Sequence, residues 1–197
     1  MYPLPLVKDQ ILTVLDFETT GSVAGWPVEP WQLGLVQLKR GRIEPSSAWE
    51  TLLRVSPGRP FNSRAPGRHA QIRDILAQAP DMADCWAELT PRLIGLPLVA
   101  HNVGTERTLL TRFAPLHSFG PWIDTLKLVR HAYPALPSKA LEQVIPALGL
   151  QTRLEALIPG RAPHDALYDA FASAVLLEYL LSLPGWENLP LHALTLG

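Results

Sequence analysis

Apolar residues cluster early in the chain in short runs. The first, Ile11-Leu12-Thr13-Val14-Leu15, leads into Asp16-Phe17-Glu18-Thr19-Thr20-Gly21. A β-rich run of this length, closed by glycine, predicts a strand. Turn formers fill 21–30, and residues 32–38 predict a second strand. Arg40-Gly41-Arg42 predicts a hairpin turn, and a third strand is expected near 48–55, ending at Ser56-Pro57-Gly58. Strands joined by short turns pair antiparallel. Further on the apolar spacing changes. Helices are expected near 69–78 and 82–94, the second carrying Met82, Trp86, Leu89 and Leu93 at helical intervals. A short strand at 96–100 precedes helical spacing over 108–113, and another strand is expected near 122–123. Asp124-Thr125 reads as the cap of a helix over 126–132. Ser138 is expected to cap a helix through Leu141, Val144, Ile145 and Leu148, which Gly149 closes. The last long helix starts after Pro163-His164-Asp165 and runs to about 182, where Pro184-Gly185 stops it. Strands first and helices alternating later predict an α/β fold, a mixed sheet flanked by helices.

A chain of 197 residues suits one domain, taken as 1–197 with a core over about 10–183 and a short tail at 184–197. The tail's apolar segments, Leu181-Ser182-Leu183-Pro184 and Leu189-Pro190-Leu191, are expected to pack on the core rather than to receive a partner. No run reaches the roughly 18 apolar residues of a membrane span. The opening Met1-Tyr2-Pro3-Leu4-Pro5-Leu6-Val7-Lys8 lacks the pattern of a secretory leader, and a lone Cys85 can form no internal disulfide or cysteine zinc cluster. A cytoplasmic location is the expectation. The net charge of −1 offers no global attraction for nucleic acid, which leaves room for a local basic rim only. The most basic segment holds Arg59, Arg64 and Arg68; a phosphate rim and a solvated loop are the two readings, and the loop is expected.

Two local patterns carry chemistry. Asp16 and Glu18, spaced i, i+2 on a strand, project to one face while Phe17 goes to the other. Their repulsion is relieved by a cation, by a proton, or by facing water; hard ions such as Mg²⁺ or Mn²⁺ prefer such oxygen ligands. The second pattern is His164-Asp165-Ala166-Leu167-Tyr168-Asp169-Ala170 at the start of the final helix. Asp165 is placed to cap it, and Asp169 lies one turn on, among Ala166, Ala170, Phe171, Ala174 and Val175. A carboxylate in that company needs a cation, hydrogen bonds or a proton.

Taken in order, Asp16-Phe17-Glu18-Thr19-Thr20-Gly21, Val99-Ala100-His101-Asn102, Asp124-Thr125-Leu126 and His164 to Ala170 closely resemble the DEDD superfamily of 3′-to-5′ exonucleases. The resemblance is to the histidine subtype, typified by the proofreading epsilon subunit of bacterial DNA polymerase III, and covers about residues 10–183. It implies an RNase H-like fold and two divalent metals, Mg²⁺ or Mn²⁺, held by four acids. Asp16, Glu18 and Asp169 would be ligands, and His164 the base that deprotonates the attacking water. Phe17, Thr19 and Thr20, where the backbone runs close to the 3′ nucleotide, and His101 and Asn102 would face the substrate.

The chain departs from the family at its second motif. Where the family carries His-Asn-x-x-Phe-Asp, this chain has His101-Asn102-Val103-Gly104-Thr105-Glu106. The resemblance implies that Glu106 is the fourth ligand, one methylene longer. The residues alone also allow Thr105 to cap a helix and Glu106 to complement its positive end, but the ligand reading is the expectation. Gln32, where relatives carry a glutamate, is expected to matter structurally at most. The function implied is removal of nucleoside monophosphates from single-stranded or frayed DNA 3′ ends, with a DNA polymerase as a conceivable partner. An exoribonuclease of the same superfamily, or a non-catalytic module binding nucleic-acid ends or a polymerase, are the alternatives.

Overall fold

The computed structural model describes residues 5–186 and 188–195. The first four positions, part of the segment read for a leader, and positions 187, 196 and 197 of the tail lie outside them.

One mixed sheet carries the architecture. Strands β1 (Ile11–Thr19), β2 (Pro30–Lys39) and β3 (Arg42–Leu52) form the antiparallel part, and β4 (Leu98–Ala100) and β5 (Trp122–Asp124) run parallel to β1, in the order β3-β2-β1-β4-β5. The helices are α1 (Arg73–Gln78), α2 (Trp86–Leu93), α3 (Gly104–Phe113), α4 (Thr125–Ala132), α5 (Leu141–Ala147), α6 (Gln151–Leu157), α7 (Ala166–Leu181) and α8 (Leu191–Leu194).

The period of two in β1 sorts its residues between two cores. Leu12 and Val14 join Val36 and Leu38 of β2 beneath residues of α4, α5, α6 and α7. Leu15 and Phe17 face the other way, with Leu33 and Leu35, onto Leu89 and Leu93 of α2 and Leu109 and Leu110 of α3. β4 divides likewise, Val99 toward α7 and Leu98 toward α2 and α3. Each face is apolar because each is covered by helices. α7 is buried along nearly its whole length, which explains its almost unbroken apolar sequence.

Several elements differ from expectation. β3 begins at Arg42, directly after the hairpin turn, and ends at Leu52 rather than spanning 48–55. The stretch at 69–78 is a 3-10 turn (His69–Gln71) followed by α1, and residues 82–85 form turns before α2. α5 is entered from Ala140, whose N–H donates to Ser138 Oγ at 3.2 Å, so the serine braces the approach instead of capping the helix. The tail packs back on the opening segment: Val7 N–H donates to Leu189 O (3.0 Å), Leu191 N–H to Pro5 O (2.9 Å), and Leu194 is buried. Among the described residues no helix is long and apolar enough to cross a membrane.

Candidate active site

The crevice opens where β1 outruns its neighbour. β4 pairs with β1 only at Thr13 and Val14, so from Asp16 onward that edge of β1 is uncovered, and loops from the carboxyl ends of β4 and β5 line the gap. On the other edge β2 stays paired, with Gly34 opposite Asp16 and Gln32 opposite Glu18. Directly opposed residues share a face. The face that carries the two acids therefore presents a residue without a side chain beside Asp16, and the start of α7 settles there. A Cβ at Gly34 would come within 2.5 Å of the Ala166 carbonyl carbon and closer still to the backbone of Leu167.

Gln32 completes the seat. It is buried, its Oε1 accepts from Ala166 N–H (3.3 Å), and its Nε2 donates to Asp165 Oδ2 (3.3 Å). Asp165 caps α7 through Tyr168 N–H, as expected, and is clamped by Arg161 at 2.9 and 3.1 Å; Arg161 also pairs with Glu50 of β3. Just before the cap the chain turns through a left-handed His164 (φ 66°), whose N–H donates to Asp169 Oδ2 at 2.9 Å. That bond fixes Asp169 and the His164 segment to each other. Glu18, His164 and Asp169 each offer a ligand atom, and the three lie within 4.8 Å of one another. Asp16 is outside this trio but shares the cavity that Asp169 and Asn102 line.

Glu106 enters from the first turn of α3. It is 4% exposed, and its Oε2 is buried without a hydrogen-bond partner. Thr105 makes no capping bond, since Val103 precedes the helix, so the capping alternative is not what the helix start shows. Asp124 does cap, accepting from Leu126 N–H (3.0 Å) and also from Asn102 N–H (2.9 Å), which holds Asn102 in a left-handed turn at the crevice.

The charge balance of this cluster is acidic and buried. Burial, then Asp169, Glu106 and Glu18, push Asp16 well above the ordinary carboxylate range. Burial and the charges of Asp169, Asp165 and Glu106 lift Glu18 from 4.5 to about 8. Glu106 is lifted to about 7 by burial, against the pull of backbone amides, and Asp169 to about 7 by burial, against the His164 amide. Acids this close are compatible only when protonated or neutralised by a cation. An oxygen-rich set with one imidazole and an unpartnered buried carboxylate oxygen suits hard divalent ions such as Mg²⁺ or Mn²⁺.

The expected substrate-facing residues divide. Phe17 packs in the core, leaving only its backbone near the crevice. Thr20 is fully buried; its Oγ1 accepts from Arg59 (2.9 Å) and Glu29 N–H (3.1 Å), so its side chain is a structural staple rather than a sugar contact. Thr19 is half-buried, with Oγ1 accepting from Gly21 N–H at 3.3 Å. His101 spends both ring nitrogens, on Thr125 Oγ1 (2.9 Å) and Lys139 O (2.8 Å), and burial lowers its pKa; it ties β4 to α4 and to the approach to α5. Arg59, expected in a solvated loop, is 0% exposed and binds Thr20, Pro27 O and Pro60 O; Arg64 and Arg68 are exposed. Sequence reasoning passed over Gly34 and Arg161 and undervalued Gln32. The one available signal was a glycine and a glutamine breaking an apolar strand.

Comparison with known proteins agrees with this geometry. The exonuclease family model RNase_T matches residues 13–177. Exodeoxyribonuclease 10 of Escherichia coli K12 is 30% identical over 180 residues, covering 89% of this chain and 71% of that protein. A DNA polymerase III subunit epsilon-like protein of Rhodobacter capsulatus is 30% identical over 164 residues, 82% of this chain but only 22% of that longer protein. Among solved structures, exonuclease X in complex with 5′ overhanging duplex DNA superposes with a TM-score of 0.69 at 26% identity, covering 93% of this chain and 99% of the other. The chain belongs to the RNase_T exonuclease family, with its RNase H-like fold.

Proposed function

We propose that this exonuclease works from the 3′ end of single-stranded or frayed DNA and releases nucleoside 5′-monophosphates, with Asp16, Glu18, Glu106 and Asp169 holding two divalent ions and His164 as general base. The observation that carries it is the convergence of Glu18, His164 and Asp169 within 4.8 Å beside Asp16 and Glu106, with the four acids buried enough to be driven toward protonation in the absence of a cation. DNA as substrate is supported by the exodeoxyribonuclease relative and by the DNA-bound structural relative.

The bound ions would supply charge neutralisation at the phosphoryl oxygens and at the leaving oxygen. The chain's own residues do the rest. The half-buried His164 sits outside α7 on a segment anchored by Asp169, where its imidazole can take the proton of a water attacking the terminal phosphorus. A new P–O bond forms and the P–O3′ bond breaks. The retained strand leaves with a 3′-hydroxyl, and the water's oxygen ends on the released monophosphate. Asn102, held by Asp124, and Thr19 are the polar groups left to orient the terminal nucleotide. Incubation with a 5′-labelled oligodeoxynucleotide and Mg²⁺ or Mn²⁺ tests the reading. A ladder shortening from the 3′ end is expected; an intact label with both metals, or release of the labelled 5′ nucleotide first, overturns it.

A further inference from the structure

The crevice has a wall that the hydrolytic chemistry does not use. Asp16 and Asp169 open into a cavity of about 590 Å³ that is also lined by the last turn of α4, the segment leading to α5 and the first turn of α5, including Arg130, Lys139 and Glu142. A polyanion entering this space meets these acids, so the cations that line it decide whether it can stay.

Most of the cationic or donor capacity there is already committed. Lys139 Nζ donates to the carbonyls of Pro134 and Leu136, and His101 has both nitrogens engaged. Arg130 differs: it is exposed, and among the described residues its guanidinium has no hydrogen bond or ion pair, not even with Glu142 of the same cavity. Its five donors are available to an incoming ligand.

The chemistry of the reaction identifies that ligand. A 3′-terminal nucleotide carries one phosphate, the scissile one, and that group must sit at the acids. Any second phosphate within reach of the cavity belongs to the strand that is retained. Resting on the proposed function, we propose that Arg130 binds a backbone phosphate of the retained strand, on the 5′ side of the scissile bond. Such a contact holds the strand without reading its bases. It offsets the repulsion of the acids and gives a near-neutral protein a local grip on DNA.

The test compares wild type, Arg130→Ala and Arg130→Lys on two probes: the p-nitrophenyl ester of thymidine 5′-monophosphate, which has one phosphate, and short oligothymidylates and oligoadenylates. For Arg130→Ala, KM for both oligonucleotides is expected to rise about tenfold at low salt with kcat kept. The slope of log KM against log salt should weaken by about 0.7. The defect should be confined to the oligonucleotides, and Arg130→Lys should recover most of it. An unchanged oligonucleotide KM overturns the proposal. So does an equal loss on the ester accompanied by a lower Tm, because Arg130 would then matter only as the basic end of α4. Oligonucleotide binding followed by fluorescence anisotropy in EDTA reads the same contact without turnover. If wild type hydrolyses neither probe, the proposed function fails, while a weakened salt slope in EDTA for Arg130→Ala still sustains the phosphate contact and an unaltered slope removes it.

Discussion

Replacing Gly34 by alanine isolates the step by which the fold assembles the site. The added methyl meets no movable side chain. Its neighbours are the Leu167 N and Cα and, at 2.5 Å, the Ala166 carbonyl carbon, all backbone of the first turn of α7. Ordinary carbon contacts lie near 3.5 to 4.0 Å, so that turn must retreat by about 1 Å. The same turn follows His164 and carries Asp169, while Gly34 is paired with Asp16, so the retreat widens the gap between the two halves of the acid cluster. Overpacking of this kind costs about 1 to 3 kcal/mol, which for a chain of this size lowers Tm by roughly 2 to 12 °C. A misplacement of about 1 Å at reacting groups costs on the order of a hundredfold in rate. Turnover of a labelled oligodeoxynucleotide with Mn²⁺, measured well below the variant's Tm, should fall by about that factor. Gly58→Ala, whose added methyl meets nothing within 4 Å, should lose neither activity nor stability. Gly34→Ala with kcat within twofold of wild type would refute the claim that this close approach sets the site.

Three further outcomes are expected. Glu106→Asp should keep or raise oligonucleotide turnover, whereas Glu106→Gln should lower it roughly 10- to 100-fold; equal rates for Gln and wild type would remove Glu106 from the ion site. His164→Asn, chosen because asparagine tolerates the left-handed backbone at this position, should leave Tm nearly unchanged and lower kcat on the order of 10² to 10⁴-fold, with kcat staying high as the contrary result. In EDTA the protein should be more stable at pH 5 than at pH 8. The pKa of Glu18 is raised by folding from 4.5 to about 8, so its stabilisation is fully present below 4.5 and is lost as pH rises through about 8. A Tm drop of roughly 5 °C between those values, reversed by Mn²⁺ at pH 8 and hardly affected by it at pH 5, is the expected calorimetric pattern, and a Tm that rises with pH in EDTA would contradict it.

The fold was legible wherever a local rule decided it. The period of two in β1, the turn at Gly41 and the aspartate caps of α4 and α7 all follow from residues within a few positions of each other. β3 was misplaced because Glu44-Pro45-Ser46-Ser47 reads as loop, yet it is an edge strand whose irregular register absorbs the proline, with Ser47 Oγ accepting from Gln37 N–H at 2.8 Å. α6 escaped notice since Leu154 is its only residue buried in the core, too little to show a helical stripe. Arg59 was invisible for the opposite reason. Nothing in a charged residue among turn formers announces that Thr20, Pro27 and Pro60 will enclose it.

The site divides along the same line. Its reactive groups stand in short motifs because a strand or a helix turn must present them at a fixed spacing, and such spacing survives in one dimension. What joins the motifs does not. Asp16 and Glu18 meet Asp169 and His164 only because, across the sheet, one opposed residue is a glycine that admits a helix and the other a glutamine that bonds to that helix's first amide and to its cap. Arg161 then ties the cap to β3, from 111 residues away in sequence. These residues touch no reacting atom, and their types are ordinary. Their role follows from register, which pairing fixes and sequence does not display. The repulsion within the acid pair that looked like a liability of β1 alone is thus a property of the whole assembly: folding brings four acids together at a cost in their ionisation, and that cost is one a bound divalent cation would relieve.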